Sequence, residues 1–309
     1  MIERTALPDA KAHWRLWDQP LLLLTLTALI WAGHSVVGKL AVGEIPPMTL
    51  TFYRWFFAVG PICFAARRTL AADLRVLKPR WLYVASLGAL GYTAFNALFY
   101  LAAHYTTGFN MSLIQASVPA LVLIGAALAF RARPTVPQAL GAAATIAGVA
   151  VIASQGDLRL LGRLAFNFGD ALMLLACCLY AFYAVGLRFR PLVSSIGFLA
   201  ALAFAAFVTS IPPFLWEVSR VGVHVPSLKG VAVMLYASLG VAFASQLCFM
   251  RGVELIGPGR AGVFVNLVPI FGAFLAVGLL GEPLAAYHVV ALALVIGGIV
   301  LAQRGRTRS

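Results

Sequence analysis

Ten apolar stretches run from residue 21 to residue 302, and the last five echo the first five at a spacing of about 150 residues. Asn96–Ala120 (NALFYLAAHYTTGFNMSLIQASVPA) lies over Gln246–Ile270 (QLCFMRGVELIGPGRAGVFVNLVPI), which sets Pro119 over Pro269. Further on, IAGVAVIA from Ile146 lies over IGGIVLAQ from Ile296. A helix needs about 20 apolar residues to cross hydrocarbon. An odd number of crossings per copy turns the second copy upside down relative to the first. The predicted fold class is therefore an all-α membrane protein, with ten transmembrane helices in two inverted five-helix repeats, an architecture of secondary transporters.

Composition closes off a soluble fold. Hydrophobic residues make up 62 % of the chain and charged ones 11 %, against roughly 45–50 % and 25 % in soluble domains. That much apolar surface needs lipid as its solvent. The net charge of +13 does not point to nucleic acid, because the basic residues sit beside apolar spans. No cleavable leader is evident in the polar first twenty residues.

The spans are predicted at 21–42, 48–66, 80–103, 107–130, 136–153, 169–188, 194–216, 229–252, 258–280 and 284–302. Turn-forming runs separate them: EIPP, KPR, ARPTVP, GPGR and GEP. The organisation follows: an N-terminal segment at 1–20, the first repeat at 21–153, a linker at 154–168, the second repeat at 169–302 and a basic tail at 303–309. Of the 23 Lys and Arg, seventeen fall on the side that holds both termini and five (Lys39, Arg159, Arg163, Arg220, Lys229) on the other. Arg54 lies inside the second span. The positive-inside rule then puts both termini in the cytoplasm. The first and sixth spans correspond at an offset of 149, with Trp31 over Tyr180, His34 over Tyr183 and Lys39 over Arg188. Lys39 and Arg188 fall on opposite sides, as an inverted pair requires.

Polar side chains in hydrocarbon turn toward the bundle interior. The first span carries Trp31, His34, Ser35 and Gly38 on one helical face. The third carries Tyr92, Asn96 and Tyr100 at four-residue steps, and the fourth Asn110, Met111, Gln115 and Pro119. Tyr180 and Tyr183, then Tyr236, Ser245 and Gln246, then Arg260, Asn266 and Pro269 follow in the second half. The fifth and tenth spans are nearly bare and read as scaffold or as a contact between molecules. The predicted cavity liners are Trp31, His34, Tyr92, Asn96, Tyr100, Gln115, Tyr183 and Gln246. Aromatic rings would take an apolar side group; the amides and His34 would take ammonium and carboxylate. Each has a plainer alternative, a hydrogen bond from helix to helix. Arg54 is predicted to be structural, snorkelling outward or holding a carbonyl.

Pro119 and Pro269 each remove a helical hydrogen bond, from the carbonyls of Gln115 and Val265, and are the predicted hinges. Packing kinks are the alternative. No catalytic residue, metal or cofactor is predicted. The five histidines are scattered, no GxSxG or HExxH occurs, and the four cysteines lie within apolar segments without ligand spacing. The expected partners are a small molecule and bilayer lipid; nothing in the sequence demands a second copy of the chain.

Trp31-Ala32-Gly33, Pro47 and Phe52-x-Arg54 resemble the opening of EamA-type members of the drug/metabolite transporter superfamily. Glu254-x-x-x-Pro258-Gly259-Arg260-Ala261-Gly262, Pro269, Gly281-Glu282-Pro283 and Gly297-Gly298 resemble that family's second repeat. The resemblance implies ten helices in two inverted repeats, exporting small metabolites across a bacterial inner membrane. The segment WAGHSVVGKLA from Trp31 is similar to YddG-type amino-acid exporters, which implies neutral and aromatic amino acids as cargo. The first repeat departs from the second, with Asn110 in the place of Arg260. The alternatives carried forward are export of drugs, amines or other metabolites and, remotely, an intramembrane enzyme. With no carboxylate at mid-span, facilitated diffusion is favoured over proton antiport.

Overall fold

The structure, a computed structural model, describes residues 16–131, 133–156 and 167–304. Most of the predicted N-terminal segment, linker and tail lies outside the described residues, as do Arg4, Lys11, Arg15, Arg159, Arg163, Arg306 and Arg308 of the charge count.

Among the described residues ten helices are long and apolar enough to cross a membrane. They are α1 (Pro20–Leu40), α2 (Pro47–Ala66), α3 (Leu70–Ala102), α4 (Gly108–Phe130) and α5 (Val136–Ala153), then α6 (Phe168–Phe189), α7 (Ser195–Val221), α8 (Leu228–Ile256), α9 (Pro258–Leu280) and α10 (Ala286–Arg304). Their starts are written in the sequence. Pro47 and Pro258 sit in first turns, where a missing N–H costs nothing. Thr107, Ser194 and Ser227 cap α4, α7 and α8 through side-chain oxygens, and Thr135 with Gln138 forms a capping box on α5.

Two ends differ from the sequence expectation. Helix α3 begins at Leu70 rather than 80, and the KPR run is one tight turn inside it. Helix α7 continues past 216 to Val221. Both extensions hold a buried acid on a neighbouring helix start. Asp73 accepts from the Ser194 backbone N–H at 3.1 Å and the Ser194 hydroxyl at 2.5 Å, at the start of α7. Glu217 accepts from Met48 and Thr49 N–H groups at 3.1 and 2.7 Å, at the start of α2. Carboxylates at helix N-termini satisfy free donors and match the helix dipole. Helices α2 and α7 pack along each other between these two caps.

Backbone irregularities recur about 150 residues apart. Helix α3 widens into a π segment ending at Ala94, and α8 into one ending at Ala244. Helix α4 breaks at Ala116–Ser117 and α9 at Val265–Asn266, each just before its proline. Arg131 and Gly281, which end α4 and α9, are both left-handed, at φ 54° and 66°. The fifth and tenth helices, read as scaffold or an outer contact, lie against each other. A Cβ on Gly141 would meet the carbonyl oxygen of Gly298, and one on Gly298 that of Gly141. Only hydrogen at Cα permits that approach.

Candidate functional site

The π segment of α3 puts Gly91 and Tyr92 side by side in mid-bundle. Gly91 leaves room for the ring of Tyr183, from α6, to lie on the α3 backbone. Tyr183 therefore meets Tyr92, with ring centroids 5.4 Å apart and hydroxyls 3.4 Å apart. Trp55 stacks flat on the other side of Tyr92, at 4.8 Å and 5°. From α1, Trp31 donates through Nε1 to the Ser245 hydroxyl at 2.8 Å and leans on Phe249. The space these rings frame is a cavity of about 220 Å³.

Of the predicted liners, Trp31, His34, Tyr92, Asn96, Gln115, Tyr183 and Gln246 are on its wall, together with Pro119 and Pro269. Tyr100 stands behind the wall, fully buried, and reaches the site through hydrogen bonds. Four-residue steps advance about 400° on a helix, so a stripe drifts roughly 40° per step and carries Tyr100 away from Tyr92. Asn110 and Arg260, both in the polar stripes, lie elsewhere: Asn110 bonds Asp170, and Arg260 is exposed.

The main residue missed is Arg54. It lies on the wall, 6 % exposed, and neither snorkels nor holds a carbonyl. Its Nη1 donates to Nε2 of His34 at 2.7 Å and to the Tyr100 hydroxyl at 2.9 Å. A guanidinium can only donate. Nε2 of His34 is therefore an acceptor, and the ring proton resides on Nδ1. Tyr100 closes the triangle, its hydroxyl 3.0 Å from the same Nε2. Phe99 stacks on the imidazole at 4.2 Å and fixes its plane. Tyr180, noted in the stripes but not among the liners, also lines the cavity. Its alignment over Trp31 was the signal that could have included it.

The two ends of the cavity differ. At the start of α4, Lys39 Nζ donates to the carbonyls of Ala103 and Thr106 at 2.8 and 2.9 Å. Glu282 accepts from the N–H groups of Gly108 and Phe109 at 2.7 and 2.8 Å. Asp170 accepts from Thr106 and from Asn110. These bonds tie α1, α3, α4, α6 and the α9–α10 connection together, and residues 109–114 are buried. At the start of α9, Pro258, Gly259 and Arg260 are exposed. Toward that end a second, mostly apolar cavity of about 470 Å³ adjoins the first between α4, α5, α9 and α10. The two share Val118, Pro119, Val265, Asn266 and Ile299.

Comparison with known proteins bears on this arrangement. The sequence profile of the EamA-like transporter family matches twice, at residues 19–154 and 167–303. The chain belongs to the EamA-like transporter family. An uncharacterized transporter of Archaeoglobus fulgidus is 29 % identical over 286 residues, covering 91 % of this chain and 96 % of the relative. The uncharacterized transporter YyaM of Bacillus subtilis is 26 % identical, covering 91 % and 92 %. The uncharacterized inner membrane transporter YedA of Escherichia coli is 24 % identical, covering 90 % and 88 %. A solved crystal structure, 18 % identical, superposes with a TM-score of 0.63 over 94 % of this chain and 98 % of the other, which shows the shared fold. As an EamA-like transporter the protein is a multi-helix membrane protein that handles a small molecule, and catalysis is not its family's task.

Proposed function

We propose that this EamA-like transporter exports small neutral or zwitterionic metabolites, foremost amino acids including aromatic ones, by alternating access between two inverted five-helix repeats, 21–153 and 169–302. The observation that carries the reading is the pairing of the cavity wall. Residues 91, 92, 96, 115, 116, 118 and 119 line it, and so do 241, 242, 246, 265, 266, 268 and 269, each 150 positions on. Trp31 and His34 also line it, as do Tyr180 and Tyr183, their counterparts 149 positions on. A site built equally from two copies is where rocking of one against the other changes access.

The inversion has support in contacts at the helix ends. Lys39, at the end of α1, meets the start of α4 beside Gly108. Arg188, at the end of α6, lies over the ring of Phe130 at the end of α4, 4.4 Å from its centroid. Helices α1 and α6 thus run in opposite senses along α4. The charge asymmetry supports both termini in the cytoplasm, and the name of YedA supports the inner membrane. On that orientation the tied end is external, the end toward α9 is cytoplasmic, and the cavity is poised to load from inside. The breaks before Pro119 and Pro269 are the hinges.

The wall suits an amino acid of the kind YddG-type exporters handle. Six aromatic side chains, Trp31, Trp55, Tyr92, Phe95, Tyr180 and Tyr183, offer apolar faces, and Asn96, Gln115, Gln246 and Asn266 offer amides. A second reading, export of an amphipathic drug or amine, draws on the apolar adjoining cavity. Counterflow into vesicles containing the purified protein separates them, using labelled amino acids, sugars and amines. Exchange of neutral amino acids supports the first reading; exchange of amines alone overturns it.

A further inference from the structure

Arg54 is a buried cation without a counter-ion. The wall of the central cavity contains no Asp or Glu, and none of the ion pairs among the described residues includes Arg54. Its hydrogen bonds both leave from Nη1, toward a neutral imidazole and a phenol. Nε is buried with no partner. A structural arginine in hydrocarbon pairs with an acid or with backbone carbonyls, and Arg54 does neither. Two more unpartnered polar atoms share the wall: Trp55 Nε1, a donor, and Asn96 Oδ1, an acceptor.

We propose that Arg54 anchors a single carboxylate of the cargo, so that this cavity selects carboxylate-bearing monoanions and zwitterions against free amines. One fixed guanidinium balances one negative charge, and its planar fork matches a carboxylate. A phosphate monoester would bring a second charge that nothing on the wall neutralises. A cationic amine would put like charges together where water is scarce. Asn96 Oδ1 supplies an acceptor for an N–H or O–H elsewhere on the same molecule. His34 and Tyr100 hold the guanidinium by Nη1, and no protein group takes its Nε. The inference rests on this cavity being the cargo site, but it does not need the cargo to be an amino acid.

Titration calorimetry on the purified full chain tests it with four probes of one shape: phenylalanine, N-acetylphenylalanine, phenylalaninamide and phenethylamine. The two acids are expected to bind about tenfold or more tightly than the amide and the amine. Arg54→Gln removes that preference, and Arg54→Lys, which keeps the charge, retains part of it. The acid-to-amide comparison in the unaltered protein stands even if a variant fails to fold. Equal binding of amide and acid, a preference that survives Arg54→Gln, or no binding of either acid overturns the inference. Binding of N-acetylphenylalanine without phenylalanine would uphold Arg54 as the anchor and overturn the amino-acid reading instead.

Discussion

The guanidinium of Arg54 donates to Nε2 of His34 at 2.7 Å, so an imidazole on the cavity wall serves as acceptor for a buried cation. The pair joins α1 to α2, and Tyr100 extends the link to α3. Helix placement and the proposed cargo contact therefore depend on the same three side chains.

Replacing His34 by Ala removes one of the guanidinium's two bonds. A lost hydrogen bond to a charged group costs about 1.5–3 kcal/mol, so both thermal stability and flux should fall. Asn96→Ala is the contrasting case. Its amide bonds the Tyr92 carbonyl within its own helix at 2.5 Å, and its oxygen has no partner. Flux should fall several-fold with the melting temperature nearly unchanged. Unchanged counterflow in both variants would remove them from the site.

Glu282 is the acceptor for the first two N–H groups of α4. Glu282→Ala leaves these donors unsatisfied, a loss of about 1–2 kcal/mol by analogy with helix caps. Hydrogen exchange in residues 108–114 should accelerate. If exchange there matches the parent protein, the tied end is not held by this carboxylate.

Neighbouring glycines in α10 should behave oppositely. A Cβ on Gly298 would strike the carbonyl of Gly141 and the side chain and N–H of Thr145, whereas one on Gly297 meets nothing within 4 Å. Gly298→Ala should destabilise by about 1–3 kcal/mol, the usual penalty for overpacking. Gly297→Ala should be neutral or slightly stabilising, since it removes unfolded-state freedom. Thermal unfolding in detergent compares them; equal melting temperatures would contradict the close α5–α10 contact.

The ten spans were legible because bilayer thickness imposes one length and one polarity on every crossing. The ends of α3 and α7 were not. Asp73 and Glu217 look like residues outside a span until their partners, the starts of α7 and α2, are in place. The same limit hid Arg54. Its charge read as a side chain in search of an exit, and only the packing of α1 and α3 beside it turns it toward the cavity. The polar faces of α1 and α3 were legible as stripes, except where helical drift moved Tyr100 out of line. The π segments had no sequence signature, yet that of α3 holds Gly91 and Tyr92 where Tyr183 meets them.

The cavity wall carries no carboxylate, and Nε2 of its histidine, His34, is taken up by Arg54, so no free side chain there is placed to carry a proton against the cargo. An imposed proton gradient should leave the steady-state amino-acid level in vesicles unchanged, with only downhill exchange observed. Gradient-driven uphill accumulation, absent in protein-free vesicles, would contradict this.

The most direct measurement is an experimental structure of the protein saturated with phenylalanine. The account predicts ligand density among Trp31, Tyr92, Tyr183 and Gln246, with the carboxylate facing Arg54. Density at another place in the bundle, with this cavity filled by repacked side chains, would contradict it.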